Sequence, residues 1–277
     1  MAQLLLEKGS YIEAATAVGW TPLHVAASRG HASVVLLLLD SAASIETATS
    51  QRETALHVAA MFGHDSVVHL LLERGAAAAA ATARGDTALH CAAARGHTNV
   101  ARVLLHHYAS AVAATATSYS STPLHYAAGQ GHASVVGLLL RRSASVAATT
   151  SGGWTALHFA ALEGHANVAK LLLKSGAAVA AATAQGSTAL HFAASTGHAR
   201  VVALLLQSGA AAAAATAWAW TALHHAALRG DADVVRLLVD HDASAVAAAD
   251  DEGLSCRTWS CAEHTASHAV WHLGWWQ

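Results

Sequence analysis

Histidine is the side chain to weigh first as a source of chemistry. The chain has 21 of them beside three cysteines, Cys91, Cys256 and Cys261. Imidazole and thiolate are the usual ligands of tetrahedral zinc. Near the C-terminus Cys256, Cys261, His264 and His268 read C-x4-C-x2-H-x3-H, with His272 four residues further on. On a helix His264, His268 and His272 would share one face. Zinc fingers, however, separate the Cys pair from the His pair by about a dozen residues, and this spacing matches no common site. The group reads as incidental, and neither a metal nor a cofactor is expected.

Catalytic patterns fare no better. The sequence has no GxSxG nucleophile elbow, no phosphate-binding glycine loop and no HExxH pair. Cys91 follows His90 directly, and adjacent residues on a helix point apart, so they form no nucleophile–base pair. Cys91 reads as a small packed hydrophobe. No enzyme is expected.

The totals narrow the partners. The 277 residues are 12% charged with a formal charge of −2, too near neutral to imply nucleic acid or an anionic membrane. No apolar run approaches the roughly 20 residues of a membrane-spanning helix. The start, MAQLLLEKGS, has no basic flank of the signal-peptide kind. Three scattered cysteines make no disulfide framework, which points to a cytoplasmic or nuclear setting.

What must position any site is a repeat. The heptapeptides TPLHVAA at 21, TALHVAA at 54, TALHCAA at 87, TPLHYAA at 122, TALHFAA at 155 and 188, and TALHHAA at 221 start 33, 33, 35, 33, 33 and 33 residues apart. Nine residues after each start stands Gly, followed by His six times and by Asp231 in the seventh copy. Thirteen histidines are thereby absorbed into the period. In TALHFAALEG, Thr155 caps a helix whose Ala160 and Ala161 permit close stacking, and Gly164 ends it. Pro22 and Pro123 take the first helical position, where a missing N–H costs nothing. In HANVAKLLLKSG, Val168, Leu171 and Leu172 lie at i, i+3 and i+4 and give a second helix one apolar stripe. A lone unit cannot bury that stripe, so neighbours must stack into a solenoid.

These residues resemble the ankyrin repeat, with its 33-residue period and T-P-L-H-x-A pattern. The resemblance covers residues 21 to about 253. It implies an all-α solenoid of helix-turn-helix units joined by projecting hairpin fingers. It also implies that the TxLH histidines bond between units and that those after glycine fix the turn between helices. Residues 1–20 read as a partial repeat (second helix and finger), 21–253 as seven repeats and 254–277 as a tail. Met1–Gly9 aligns with the second helix of a unit lacking its first, and Leu4, Leu5 and Leu6 suggest the raw edge of a fragment or an incomplete gene product. The tail fits a degenerate cap, a distinct peptide motif or an unrelated sequence equally well.

Five residues before each heptapeptide stands a threonine, from Thr16 to Thr216, where the family pattern usually has Asp beginning a tight turn. Threonine makes the same local bond more weakly. The alanines of 210–215 therefore form the strand arm of a finger, loosely held because Ala is a poor strand former. Arg52, Ser120 and Ala219 replace the finger glycine, which leaves the turn shape open there. Ala42, Tyr108, Ser143 and Asp242 replace the glycine after the second helix. Two extra residues within 109–116 should lengthen the finger that carries Tyr119.

The resemblance further implies that finger tips and late first-helix positions line a concave binding face. The finger residues are Trp20, Glu53, Arg84, Asp86, Tyr119, Trp154, Trp218 and Trp220. The helix residues are Arg29, Met61, Phe62, Arg95, Gln130, Leu162, Glu163, Leu228 and Arg229. Exposed aromatics and arginines are enriched at binding hot spots. Trp20, Trp154 and Trp220 recur at one repeat position, which suits shared packing, whereas Phe62 and Trp218 do not recur and suit partner contact. The expected function is a monomeric, non-enzymatic scaffold for another protein. A second reading makes the array the targeting arm of a larger enzyme or channel.

Overall fold

The computed structural model describes residues 12–108 and 117–242. Those residues form fourteen helices in seven antiparallel pairs. The first helices are α1 (Pro22–Ser28), α3 (Ala55–Phe62), α5 (Ala88–Arg95), α7 (Pro123–Gly129), α9 (Ala156–Leu162), α11 (Ala189–Thr196) and α13 (Ala222–Arg229). The second helices are α2 (Ala32–Asp40), α4 (Asp65–Glu73), α6 (Thr98–His107), α8 (Ala133–Arg141), α10 (Ala166–Lys174), α12 (Ala199–Gln207) and α14 (Ala232–His241). The partial repeat's helix, the 109–116 insertion and the tail with Cys256, Cys261, His264, His268 and His272 lie outside the described residues.

Each first helix begins where a heptapeptide threonine sits in extended backbone and caps it reciprocally with the histidine three residues on. Its alanine pairs are almost fully buried, as at Ala59, Ala60, Ala160 and Ala161, and let neighbouring first helices approach closely. Each second helix buries a Val/Leu stripe, for example Val168 and Leu172 in α10. Two layers result, first helices stacked on first and second on second, with one continuous core between them. Adjacent first helices are more closely packed than adjacent second helices.

The fingers depart from the sequence reading in two ways. Their alanine arms are not strands: the described residues contain only isolated bridges, such as Ala215 to Thr221. The arm instead makes a turn, Ala214 N–H donating to the Ala211 carbonyl at 3.2 Å, as poor strand propensity permits. Nor are the fingers loosely held. Each finger threonine accepts, on its hydroxyl oxygen, the N–H of the residue four ahead at 2.6–3.3 Å. Successive fingers are also joined backbone to backbone, from Ser50 N–H to the Val18 carbonyl (3.1 Å) through to Ala217 N–H to Gln185 (2.9 Å). The poor strand former matters little when turn and neighbour satisfy the polar groups.

The turn shape left open at three fingers is the same as in the others. Arg52, Ser120 and Ala219 hold φ of 59°, 56° and 59°, as the finger glycines hold 75–86°. After the second helix, Ala42 and Ser143 likewise keep positive φ (70° and 65°), whereas Tyr108 and Asp242 have negative φ (−141° and −150°).

Candidate functional site

The face formed by finger tips and first-helix ends rests on two sets of histidines. In the TxLH set, Nδ1 accepts the N–H of its capping threonine at 2.9–3.3 Å and pairs with that hydroxyl at 2.8–2.9 Å. Nε2 faces carbonyls of the following finger: His24 reaches Glu53, and His125 reaches both Ala148 and Trp154, at 3.0–3.1 Å. A carbonyl only accepts, so Nε2 carries the proton and Nδ1 is the acceptor. That arrangement needs a neutral ring. Burial holds His24, His57 and His191 below the usual imidazole value and pushes His125 and His158 down to about 4.

The second set does more than fix the turn between helices. His64, His97, His132, His165 and His198 donate through Nε2 to carbonyls at the end of the preceding first helix, Ser28, Met61, Ala94, Gly129 and Leu162, at 2.9–3.1 Å. These are bonds between units as well. The ring lies over the preceding unit's glycine: a Cβ on Gly63 would come within 2.5 Å of His97 Nδ1, and Gly63 also has φ of +80°. In the seventh repeat Asp231 replaces the histidine and caps α14 through Val234 N–H. There Arg229 covers Gly197 and reaches the equivalent carbonyl, Ser195, at 3.4 Å.

The seventeen sequence-derived positions separate on this frame. Trp154 stacks on Phe159 and Phe192, Trp220 packs against His224 and His225, and Trp20 lies over His24. All three are half-buried. Asp86 is tied to the next unit but half-buried too, its Oδ1 accepting from the Tyr126 hydroxyl at 2.8 Å. Glu53 accepts from the Thr49 hydroxyl at 3.5 Å. Met61 and Leu162 are half-buried, their carbonyls taken by His97 and His198.

The remaining positions face outward. Phe62, Tyr119, Trp218 and Leu228 are 46–56% exposed, and Arg29, Arg84, Arg95, Gln130, Glu163 and Arg229 are exposed as well. Phe62 and Trp218 make no ring contact among the described residues. The late first-helix row reads Arg29, Phe62, Arg95, Gln130, Glu163, Thr196 and Arg229.

One feature escaped the sequence reading. At the fifth heptapeptide position, Tyr126, Phe159, Phe192 and His225 each lie against the preceding unit's buried histidine. His90 meets Tyr126, His125 meets Phe159 and His158 meets Phe192 edge to face at 5.5–5.8 Å. The signal was present as the most variable position of the heptapeptide, which otherwise changes only between Pro and Ala at its second residue. Burial and the bond to Asp86 together raise the Tyr126 hydroxyl above its usual value. Cys91 keeps some exposed surface, yet its packed surroundings push the thiol up to about 12. Among the described residues no group of His, Cys, Asp and Glu is placed to hold a metal, and no helix is long and apolar enough to cross a membrane.

Comparison with known proteins agrees with this architecture. The family described as ankyrin repeats (3 copies) matches in overlapping segments, residues 1–82, 44–116, 77–150, 113–183, 145–215 and 178–250. Among solved structures, the human ASB11 ankyrin repeat domain is similar at 28% identity and a TM-score of 0.73, over 80% of this chain and 98% of that one. The ankyrin repeat domain of Bcl-3, described as a unique member of the IkappaB protein family, is similar at 31% identity and a TM-score of 0.66, over 79% of this chain and 98% of that one. No curated protein matches.

Proposed function

The chain belongs to the ankyrin-repeat family, and from that premise we propose that it is a non-enzymatic scaffold holding another protein against its finger tips and first-helix ends. Ankyrin repeats are in general protein–protein interaction modules. The observation that carries the finer reading is the exposure of Phe62 (50%) and Trp218 (49%), large apolar side chains without ring partners on an otherwise satisfied frame. Finger and helix-end groups are already hydrogen-bonded to their neighbours, so little backbone order remains to be lost on binding. Aromatic anchors of this kind carry most of an interface's affinity. Tyr119, Leu228 and the exposed arginines extend the same face, while Trp20, Trp154 and Trp220 act as its walls. The setting proposed is cytoplasmic or nuclear.

The test is a lysate capture with the wild-type chain, a Phe62→Ala/Trp218→Ala double variant and a Lys170→Ala control on the exposed side of a second helix. Circular dichroism establishes that all three are folded. A protein held by the wild type and the control but lost from the double variant supports the reading. Equal capture by all three removes this face from the site.

A further inference from the structure

The charges on the proposed face are unevenly placed. Its first three units carry Arg29, Arg52, Arg84 and Arg95, all exposed. The opposing carboxylates there are Glu53 and Asp86, and both are engaged inside the array, with Thr49 and Tyr126. Units four to six contribute only Glu163 at the finger-tip and helix-end positions, beside uncharged residues such as Tyr119, Trp154 and Gln185. Within the basic half, Arg29, Phe62 and Arg95 stand at the same repeat position in three consecutive units. Arg29 and Arg95 form no ion pair with any described residue, and Phe62 is half exposed between them. The helix-end carbonyls of these units, Ser28, Met61 and Ala94, are already occupied by His64, His97 and His132. The guanidinium donors therefore have no local acceptor and are free for carboxylates, which they match in geometry.

We propose that this row binds an extended acidic peptide whose two carboxylates, on either side of an apolar residue, sit on Arg29 and Arg95 with the apolar residue on Phe62. Stacked helices lie about 10 Å apart, and an extended chain advances about 3.3–3.6 Å per residue. One repeat therefore corresponds to about three peptide residues. The motif is an acidic residue, two of any kind, an apolar residue, two of any kind, and a second acidic residue. This inference rests on the interaction reading above and specifies the chemistry of its partner.

The probe is a random dodecapeptide library displayed on phage, selected in parallel on the full chain and on R29E/R95E, F62A and F62A/W218A. All the altered side chains are exposed, and circular dichroism checks each variant. The wild type should enrich Asp or Glu three residues before and after an apolar residue. R29E/R95E should bind those peptides at least tenfold more weakly and select Lys or Arg in their place. F62A should lose the apolar preference but keep the acidic one. Peptides without acidic enrichment that bind the wild type and are lost from F62A/W218A overturn this inference and leave the interaction reading standing. Acidic enrichment unchanged in R29E/R95E overturns it as well. Failure to select any peptide counts against both. The acidic run Asp250, Asp251 and Glu252 is a rival occupant. Tenfold tighter peptide binding by D250N/D251N/E252Q would assign the row to the chain's own tail and remove the external peptide.

Discussion

Trp154 and Phe192, one unit apart, stack with ring centres 4.3 Å apart and planes tilted by 32°. Trp154 also lies 5.2 Å from Phe159, so the finger is clamped to two successive first helices. Trp218, at a finger position two residues before Trp220, has no such partner and is 49% exposed. The two tryptophans therefore have different surroundings.

Trp154→Ala should cost on the order of 3 kcal/mol, because it opens a hole between packed rings. Trp218→Ala should stay within about 0.5 kcal/mol, as surface changes do. Urea denaturation of the two variants beside the wild type reads the difference directly. Equal losses would mean that the Trp154 stack does not hold the fingers.

Acid should unravel the array at the TxLH histidines. Their folded values are depressed below the unfolded 6.5, so the unfolded chain takes up protons first as pH falls. The stability is fully present above pH 6.5 and is lost between there and about 4. His125 and His158 should each withdraw on the order of 2 kcal/mol by pH 5. The melting temperature measured from pH 7.5 to 4.5 should fall steadily below pH 6.5, and His125→Gln should flatten that slope. A melting temperature constant down to pH 5 would sink the assignment.

Arg52, Ser120 and Ala219 occupy left-handed backbone where a Cβ costs roughly 1–2 kcal/mol, partly offset by glycine's larger unfolded entropy. Ala219→Gly should therefore stabilise the array by about 0.5–1 kcal/mol. Gly186→Ala, at the same turn position, should destabilise it, since the new Cβ would meet Ala217 N at 3.1 Å. Chemical denaturation midpoints moving in opposite directions would bear this out, and movement in one direction would not.

Cys91 should resist alkylation. With its thiol pushed up to about 12, almost no thiolate exists at pH 8. Iodoacetamide treatment at that pH followed by peptide mapping should find Cys91 unmodified in the native chain and modified in urea. Ready labelling of the native protein would show that the α5 surroundings do not protect it.

Much of the architecture was legible because each repeat states its own local rules. Thr155 before Ala156 and Gly164 after the helix mark both ends of α9, and Val168 with Leu172 marks the buried stripe of α10. The fingers were harder. Runs of alanine carry no side-chain polarity to show where their N–H and C=O groups go; Ala214 N–H turned out to bond within the arm to the Ala211 carbonyl, and the Ala214 carbonyl to His191 Nε2. The candidate face was legible by position and not by exposure. Recurrence at one repeat position suited Trp20, Trp154 and Trp220 to packing, but only the structure placed His24, Phe192 and His225 beside them.

The sequence by itself determined the solenoid, its 33-residue step and the helix boundaries, because propensity, capping and apolar spacing act over a few residues within each unit. Only the tertiary structure decided which side chains remain for a partner. That choice depends on neighbours one whole repeat away, as when His97 reaches back 36 residues to the Met61 carbonyl or Tyr126 reaches back 40 to Asp86. Phe62 and Trp218 make no ring contact among the described residues and stay about half exposed, and how far each is covered depends on neighbouring units as well as on spacing along the chain.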